Sequence, residues 1–141
     1  MIDDNANIPP ELKSAKFTIR EVTGIGKGDD FVRLDASSVL KISGLCHVWY
    51  TRHPYQPDWM IPWGTPNATE ICLATSEDGW HWTEHGRVLE DSPDGAWHAI
   101  GKHAPEVIVH AGRYYMYCSA HPGDPIHEKH IAVAVSDSPE G

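Results

Sequence analysis

Few side chains in this chain stand in patterns that could do chemistry, and each pattern has a definite reading. His121, Asp124, His127, Glu128 and His130 crowd one stretch with metal-ligating types. His127-x-x-His130 can hold a metal if both imidazoles face one way, but no helix fixes that geometry and a strand follows. The stretch reads as a solvated polar loop, with no metal site. Cys46, Cys72 and Cys118 are odd in number, lack Cys-x-x-Cys spacing and lie in apolar runs. That pattern describes buried free thiols rather than a disulfide framework or a zinc ribbon. Gly24, Gly26 and Gly28 lack the apolar strand-turn-helix setting that phosphate binding needs, so they read as a turn.

Asp35 and Glu106 are two carboxylates that stand at strand entries. Asp35 stands just ahead of a strand over Ser38–Ile42, and Glu106 just ahead of Val107, behind Pro105, which stiffens its approach. An ionised carboxylate at a strand mouth can activate water as a general base. The plainer alternatives are that Asp35 caps the turn before Ser37 or Ser38, and that Glu106 holds an Arg or His. Six Trp and five Tyr against two Phe favour surfaces with one face packed and the other wet. Trp59, Trp63 and Trp97 lie in Pro/Gly-rich loops, where an aromatic face either stacks on a ligand or pins its own loop. Trp49, Trp80 and Trp82 sit in or beside strands and read as packing residues.

Composition narrows the partners. Eleven Lys+Arg against twenty Asp+Glu give a net charge of -9, a poor match to a phosphate backbone, so nucleic acid is not an expected partner. No run reaches the ~18 apolar residues of a membrane span. Residues 1–10 show no basic region followed by an apolar stretch, so no secretory signal is visible and the cytoplasm is the default expectation.

The elements that must position these residues are short strands, for no stretch keeps a 3.6-residue period. The alternation of Lys16-Phe17-Thr18-Ile19-Arg20-Glu21-Val22 predicts a half-exposed strand. Further strands are predicted at Ser38–Ile42, Cys46–Thr51, Ile71–Ser76, Trp82–Val88, Val107–His110, Tyr114–Ser119 and Ile131–Ser136. Ser43-Gly44, Asp78-Gly79 and Ala111-Gly112 supply the hairpin turns. Val39 to Pro54 can be laid without a gap on Val107 to Pro122, 68 residues later, and Ile71–Ser76 on Ile131–Ser136, 60 residues later. Repeated meanders, apolar at nearly every position of their second strand, predict an all-β protein of the β-propeller type. A sandwich with two similar halves is the alternative.

Several motifs then carry a resemblance. Phe31-Val32-Arg33-Leu34-Asp35-Ala36-Ser37-Ser38-Val39-Leu40-Lys41, with Val48-Trp49-Tyr50-Thr51 after a glycine turn, resembles the opening blade of the five-bladed propeller glycoside hydrolases of families 43 and 117. Ala74-Thr75-Ser76-Glu77-Asp78-Gly79-Trp80-His81-Trp82 is similar to their third-to-fourth-strand hairpin. Ala104-Pro105-Glu106-Val107-Ile108 with Gly112-Arg113-Tyr114-Tyr115 resembles the start of their second blade, and Ser136-Asp137-Ser138-Pro139-Glu140-Gly141 the hairpin after its third strand.

The resemblance implies a single propeller domain, of which the chain carries the N-terminal part. Residues 1–16 would be a lead-in, 17–23 a ring-closing strand, 31–90 blade one and 103–141 an incomplete blade two. It further implies inverting hydrolysis of an oligo- or polysaccharide. Asp35 would be the general base, Glu106 a carboxylate that tunes and orients the acid, and the general acid would lie beyond Gly141. Arg33, His53 and His98, near the implied channel mouth, would bind substrate hydroxyls, with His103 and the loop tryptophans Trp59, Trp63 and Trp97 around them. No cofactor is implied as required, and the channel leaves room for a structural divalent cation. The chain departs from the family in having Asp35-Ala36 where Asp-Pro is usual, and His103 before Ala104-Pro105. Two readings stay beside this one: a carbohydrate-binding propeller without catalysis, and a glycoside phosphorylase of related fold. A piece of under two blades is expected to be inactive alone, and to be unstable or associate.

Overall fold

A computed structural model describes residues 18–26, 28, 30–55, 68–93, 95–122 and 129–141. Its eight strands are β1 (Phe31–Leu34), β2 (Leu40–Ile42), β3 (Leu45–Pro54), β4 (Glu70–Ser76), β5 (Thr83–Arg87), β6 (Gly101–His110), β7 (Arg113–His121) and β8 (His130–Ser136). All ladders between them are antiparallel. In the first sheet β1 and β2 both pair with β3, and β4 and β5 follow; the second sheet runs β6-β7-β8. The all-β expectation holds, in two meanders. Among the described residues no helix is long and apolar enough to cross a membrane.

The turns form as their residues dictate. Ser43 and Gly44 have φ of 50° and 90°, and Ala111 and Gly112 have 50° and 78°. Two successive positive values make the type I′ turn, whose twist matches that of paired strands. Between β4 and β5, Ser76 Oγ accepts from Gly79 N (2.8 Å), and the Asp78 carboxylate accepts from Trp80 N (2.7 Å) and His81 N (2.9 Å). These donors hold the Asp78 carboxyl well below the usual carboxylate range.

β3 and β4 are covered on both faces, which is why they read as continuous apolar runs. On one face Trp49, Ile71 and Leu73 pack against Val107, Met116 and Cys118 of the second sheet. On the other, Val48, Tyr50, Cys72, Ala74 and Trp82 are met by Val22 and Ile25. Thr23 locks that N-terminal segment down by a bridge to His81, with Thr23 N donating to Trp80 O and Trp82 N to Thr23 O, both at 3.0 Å. Gly24 is required there: a Cβ would lie 1.8 Å from the Trp82 carbonyl oxygen. The outward face of the second sheet leaves Ile108, Tyr117, Ile131, Val133 and Val135 exposed.

Several expectations need correcting. Residues 18–22 lie outside every ladder, so the strand predicted over Lys16–Val22 is not paired among the described residues. The segment packs over Trp82 instead, and Phe17 lies outside what is described. The strand predicted at Ser38–Ile42 starts only at Leu40, and an unpredicted β1 precedes it. Trp80 is not a packing residue: it is 46% exposed, with the Arg20 guanidinium 5.9 Å from its ring centroid. Trp49 and Trp82 are buried as expected. Cys72 and Cys118 are buried free thiols, whereas Cys46 is only half-buried.

The repeat has a feature that the gapless alignment hides. β1 and β2 are one edge strand broken at Asp35–Val39: Leu34 lies opposite Thr51, and Leu40 opposite His47. β6 breaks at the matching place, with His103 opposite Ser119, Glu106 opposite Tyr117 and a register shift between them. The residue after each break point, Asp35 in one sheet and Ala104 in the other, has φ 52°. The break inserts two extra residues in the first sheet and one in the second. Asp35 therefore corresponds to Ala104 rather than to His103.

Candidate active site

The two kinks meet where the sheets touch. A residue that turns into the left-handed region leaves the ladder, so Asp35 stands exposed between β1 and β2. Ser37 ties the loop behind it to β3: its N donates to Trp49 O (2.8 Å), and its Oγ accepts from Trp49 N (3.1 Å). The Asp35 Oδ2 accepts from Thr51 Oγ1 at 3.4 Å, and the same Thr51 oxygen accepts from Ala104 N at 2.9 Å. Glu106, on β6 just past its kink, is exposed and accepts from Ser38 N at 3.1 Å through Oε2. The loop that carries Asp35 is thus held by groups from both sheets.

His103 stands at the edge of this group. Burial pushes its imidazole pKa down and Lys129 adds to that, while the nearby Asp35 charge pulls it back up. Its ring lies edge-on to that of His121, 5.8 Å between centroids. The pKa of His121 is also lowered, first by burial and then by His103 and Lys129. Kept neutral, such imidazoles can both donate and accept hydrogen bonds, which suits hydroxyl groups.

Of the residues singled out from sequence, the structure gathers Asp35, Glu106 and His103. His53 is buried, 3% exposed, with Nδ1 on its neighbour's carbonyl, Pro54 O, at 2.9 Å. Arg33 is turned away. Side chains alternate along a strand, so Arg33 lies on the opposite face of the sheet from Leu34 and Thr51. There it donates to both oxygens of Glu84, at 3.1 and 2.9 Å. Arg52 reaches Glu84 at 3.3 Å and Glu70 at 2.8 Å, and the Tyr50 hydroxyl also donates to Glu84. Burial alone would raise the Glu84 carboxyl, but these partners outweigh it and hold it at about 2.

Trp97 and His98 pack on each other, 4.8 Å between rings, and the His130 ring meets Trp97 edge-on at 5.5 Å. They line a separate cavity of about 220 Å³ with Lys102, whose buried ammonium donates to Ser92 Oγ (2.8 Å) and Glu90 O (3.2 Å). Trp59 and Trp63 lie outside the described residues, as do Asp124, His127 and Glu128 of the His-rich loop. Among the described residues no three His, Cys, Asp or Glu side chains are grouped to hold a metal ion.

Thr51 and Glu84 escaped the sequence reading. A Thr inside an apolar run reads as β-branched packing, and a Glu in an alternating edge strand reads as solvated. Only the pairing of Thr51 with Leu34, beside Asp35, signals a task for its hydroxyl.

Comparisons with known proteins agree with this architecture. The chain matches a family 117 glycoside hydrolase of the marine bacterium Zobellia galactanivorans with a TM-score of 0.73 and 22% identity, over 86% of this chain and 41% of that one. A family 43 enzyme of Xanthomonas citri, solved with xylotriose, matches at 0.58 and 22% identity, over 77% and 30%. A putative exo-β-1,3-galactanase of Bifidobacterium bifidum matches at 0.54 and 25% identity, over 76% and 33%. The chain thus spans less than half the length of these structures. No curated protein sequence gives a significant match. The family model for glycosyl hydrolases family 43 matches residues 54–141, which include His103 and Glu106 and stop short of Asp35. With well over half of its residues matched by that model, the chain belongs to glycosyl hydrolase family 43.

Proposed function

We propose that this chain carries the base side of the active site of a glycoside hydrolase that cleaves an oligo- or polysaccharide with inversion. The observation that carries the reading is Asp35: an exposed carboxylate in a left-handed kink, held by a buried hydroxyl and flanked across the sheets by Glu106. In the proposed reaction Asp35 takes a proton from water as the water oxygen bonds to the anomeric carbon. The glycosidic C–O bond breaks, and a separate carboxylic acid protonates the leaving oxygen. Glu106 places a negative charge beside that acid and so favours its protonated form. Its hydrogen bond from Ser38 N also keeps the Asp35 loop in place. The general acid is proposed to lie beyond Gly141, within a propeller of five blades.

The test is Asp35→Asn in the full-length protein, assayed on arabino-, xylo- and galacto-oligosaccharides by release of reducing ends. A positioned base contributes roughly 10²–10⁴-fold, so the variant is expected to lose at least a hundredfold in kcat. NMR of the first-formed product should show the inverted anomer. Undiminished turnover by Asp35→Asn on every cleaved substrate would reject the assignment.

A further inference from the structure

The hydroxyl of Thr51 occupies an unusual junction, and this inference rests on the hydrolase reading above. Thr51 is 0% exposed and sits on β3 opposite Leu34 on one side and Ile71 on the other. A hydroxyl offers one donor and two acceptor sites. Here it accepts from Ala104 N at 2.9 Å and donates to Asp35 Oδ2 at 3.4 Å. The accepting bond fixes the direction of the donor. A buried hydroxyl already anchored to backbone has little freedom to point elsewhere, and an unmade buried bond is costly.

The anchor comes from the second sheet. Ala104 occupies the kink of β6, where the left-handed turn frees its N–H from the ladder. We infer that Thr51 is a positioning residue for Asp35: its hydroxyl fixes the carboxylate against the kink of the second sheet, so packing between the two sheets sets the direction of the base. The 3.4 Å separation is long for an O–H···O bond and is of the kind that shortens when substrate closes the site.

Two substitutions in the full-length protein separate this role from simple packing. Thr51→Val keeps the shape and removes the hydroxyl, whereas Thr51→Ser keeps the hydroxyl and removes the methyl. The ¹³C resonance of the Asp35 carboxylate is expected to move in Thr51→Val and to coincide with wild type in Thr51→Ser. Turnover is expected to fall ten- to a hundredfold in kcat for Thr51→Val with KM within about twofold, and to stay within about threefold for Thr51→Ser. An unmoved carboxylate resonance in Thr51→Val overturns the proposal. So does a Thr51→Ser variant as impaired as Thr51→Val, since the methyl rather than the hydroxyl would then matter. A wild-type protein that cleaves no glycoside would sink the hydrolase reading, and the resonance comparison would then decide the positioning role alone.

Discussion

Arg33→Met separates a substrate-binding arginine from a structural one. The guanidinium donates two hydrogen bonds to Glu84, and both side chains are mostly covered, at 14% and 21% exposure. After the substitution Glu84 keeps the Tyr50 hydroxyl and Arg52 at 3.3 Å, but Arg52 is already committed to Glu70. Hydrogen bonds to charged groups contribute roughly 1.5–3 kcal/mol each, and two made by one pair of side chains do not simply add. Methionine retains most of the packing of the arginine stem. The expected loss is therefore about 2–3 kcal/mol at pH 7, read from the urea midpoint by tryptophan fluorescence.

The pH dependence gives a second handle on the same pair. The folded pKa of Glu84, about 2, lies below its ordinary value of 4.5. A depressed carboxyl contributes its stabilisation fully above the unfolded pKa and loses it as pH falls through the folded one. The gap between wild type and Arg33→Met should thus be full at pH 7 and pH 6 and shrink between pH 4.5 and pH 2. KM for any cleaved glycoside should not change, because Arg33 lies on the other face of the sheet from Thr51 and Asp35. Equal midpoints at pH 7, a gap indifferent to acid, or a raised KM at unchanged stability would each refute the reasoning.

Glycine substitutions test the packing of the N-terminal segment: Gly24→Ala and Gly44→Ala both put a side chain at positive φ, but only Gly24 would meet a backbone oxygen, 1.8 Å from its Cβ. Gly44→Ala should cost about 1 kcal/mol and Gly24→Ala at least twice that, measured by urea unfolding, and equal losses would contradict the close approach to Trp82. Burial pushes the Cys72 thiol up to about 12 and raises that of Cys118, while Cys46 is half-buried. In the full-length protein an aromatic disulfide reagent at pH 8 should therefore modify Cys46 in the folded state and Cys72 and Cys118 only in urea, and rapid modification of Cys72 without denaturant would count against its burial.

What could be read from the chain, and what could not, divides along a physical line. The type I′ turns at Ser43-Gly44 and Ala111-Gly112 and the apolar runs of β3 and β4 are set by neighbouring residues, so sequence shows them. The fate of Arg33 depends on which face of β1 its side chain takes, and a single inserted residue reverses that. The resemblance sets Arg33 near the implied channel mouth; one position along a strand turns its side chain to Glu84, 51 residues away. Trp59 and Trp63 lie outside the described residues, so the proposed sugar-stacking loops have only Trp97 to represent them, in a cavity of its own.

The kinks mark the deeper limit. The alignment at 68 residues matches Val39 with Val107 correctly, yet it sets Asp35 against His103, because the two breaks insert different numbers of residues. Pairing in the ladders sets Asp35 against Ala104 instead, both with φ 52°. The same bend in two copies has then taken different work. In the first it lifts a carboxylate out of the sheet; in the second an alanine leaves only a freed N–H, which Thr51 accepts. An alanine there looks like the loss of a functional residue, but a side chain is not what that position supplies. Through Thr51 the amide of the second kink braces the carboxylate of the first, which is why Asp35 cannot be understood from either repeat alone.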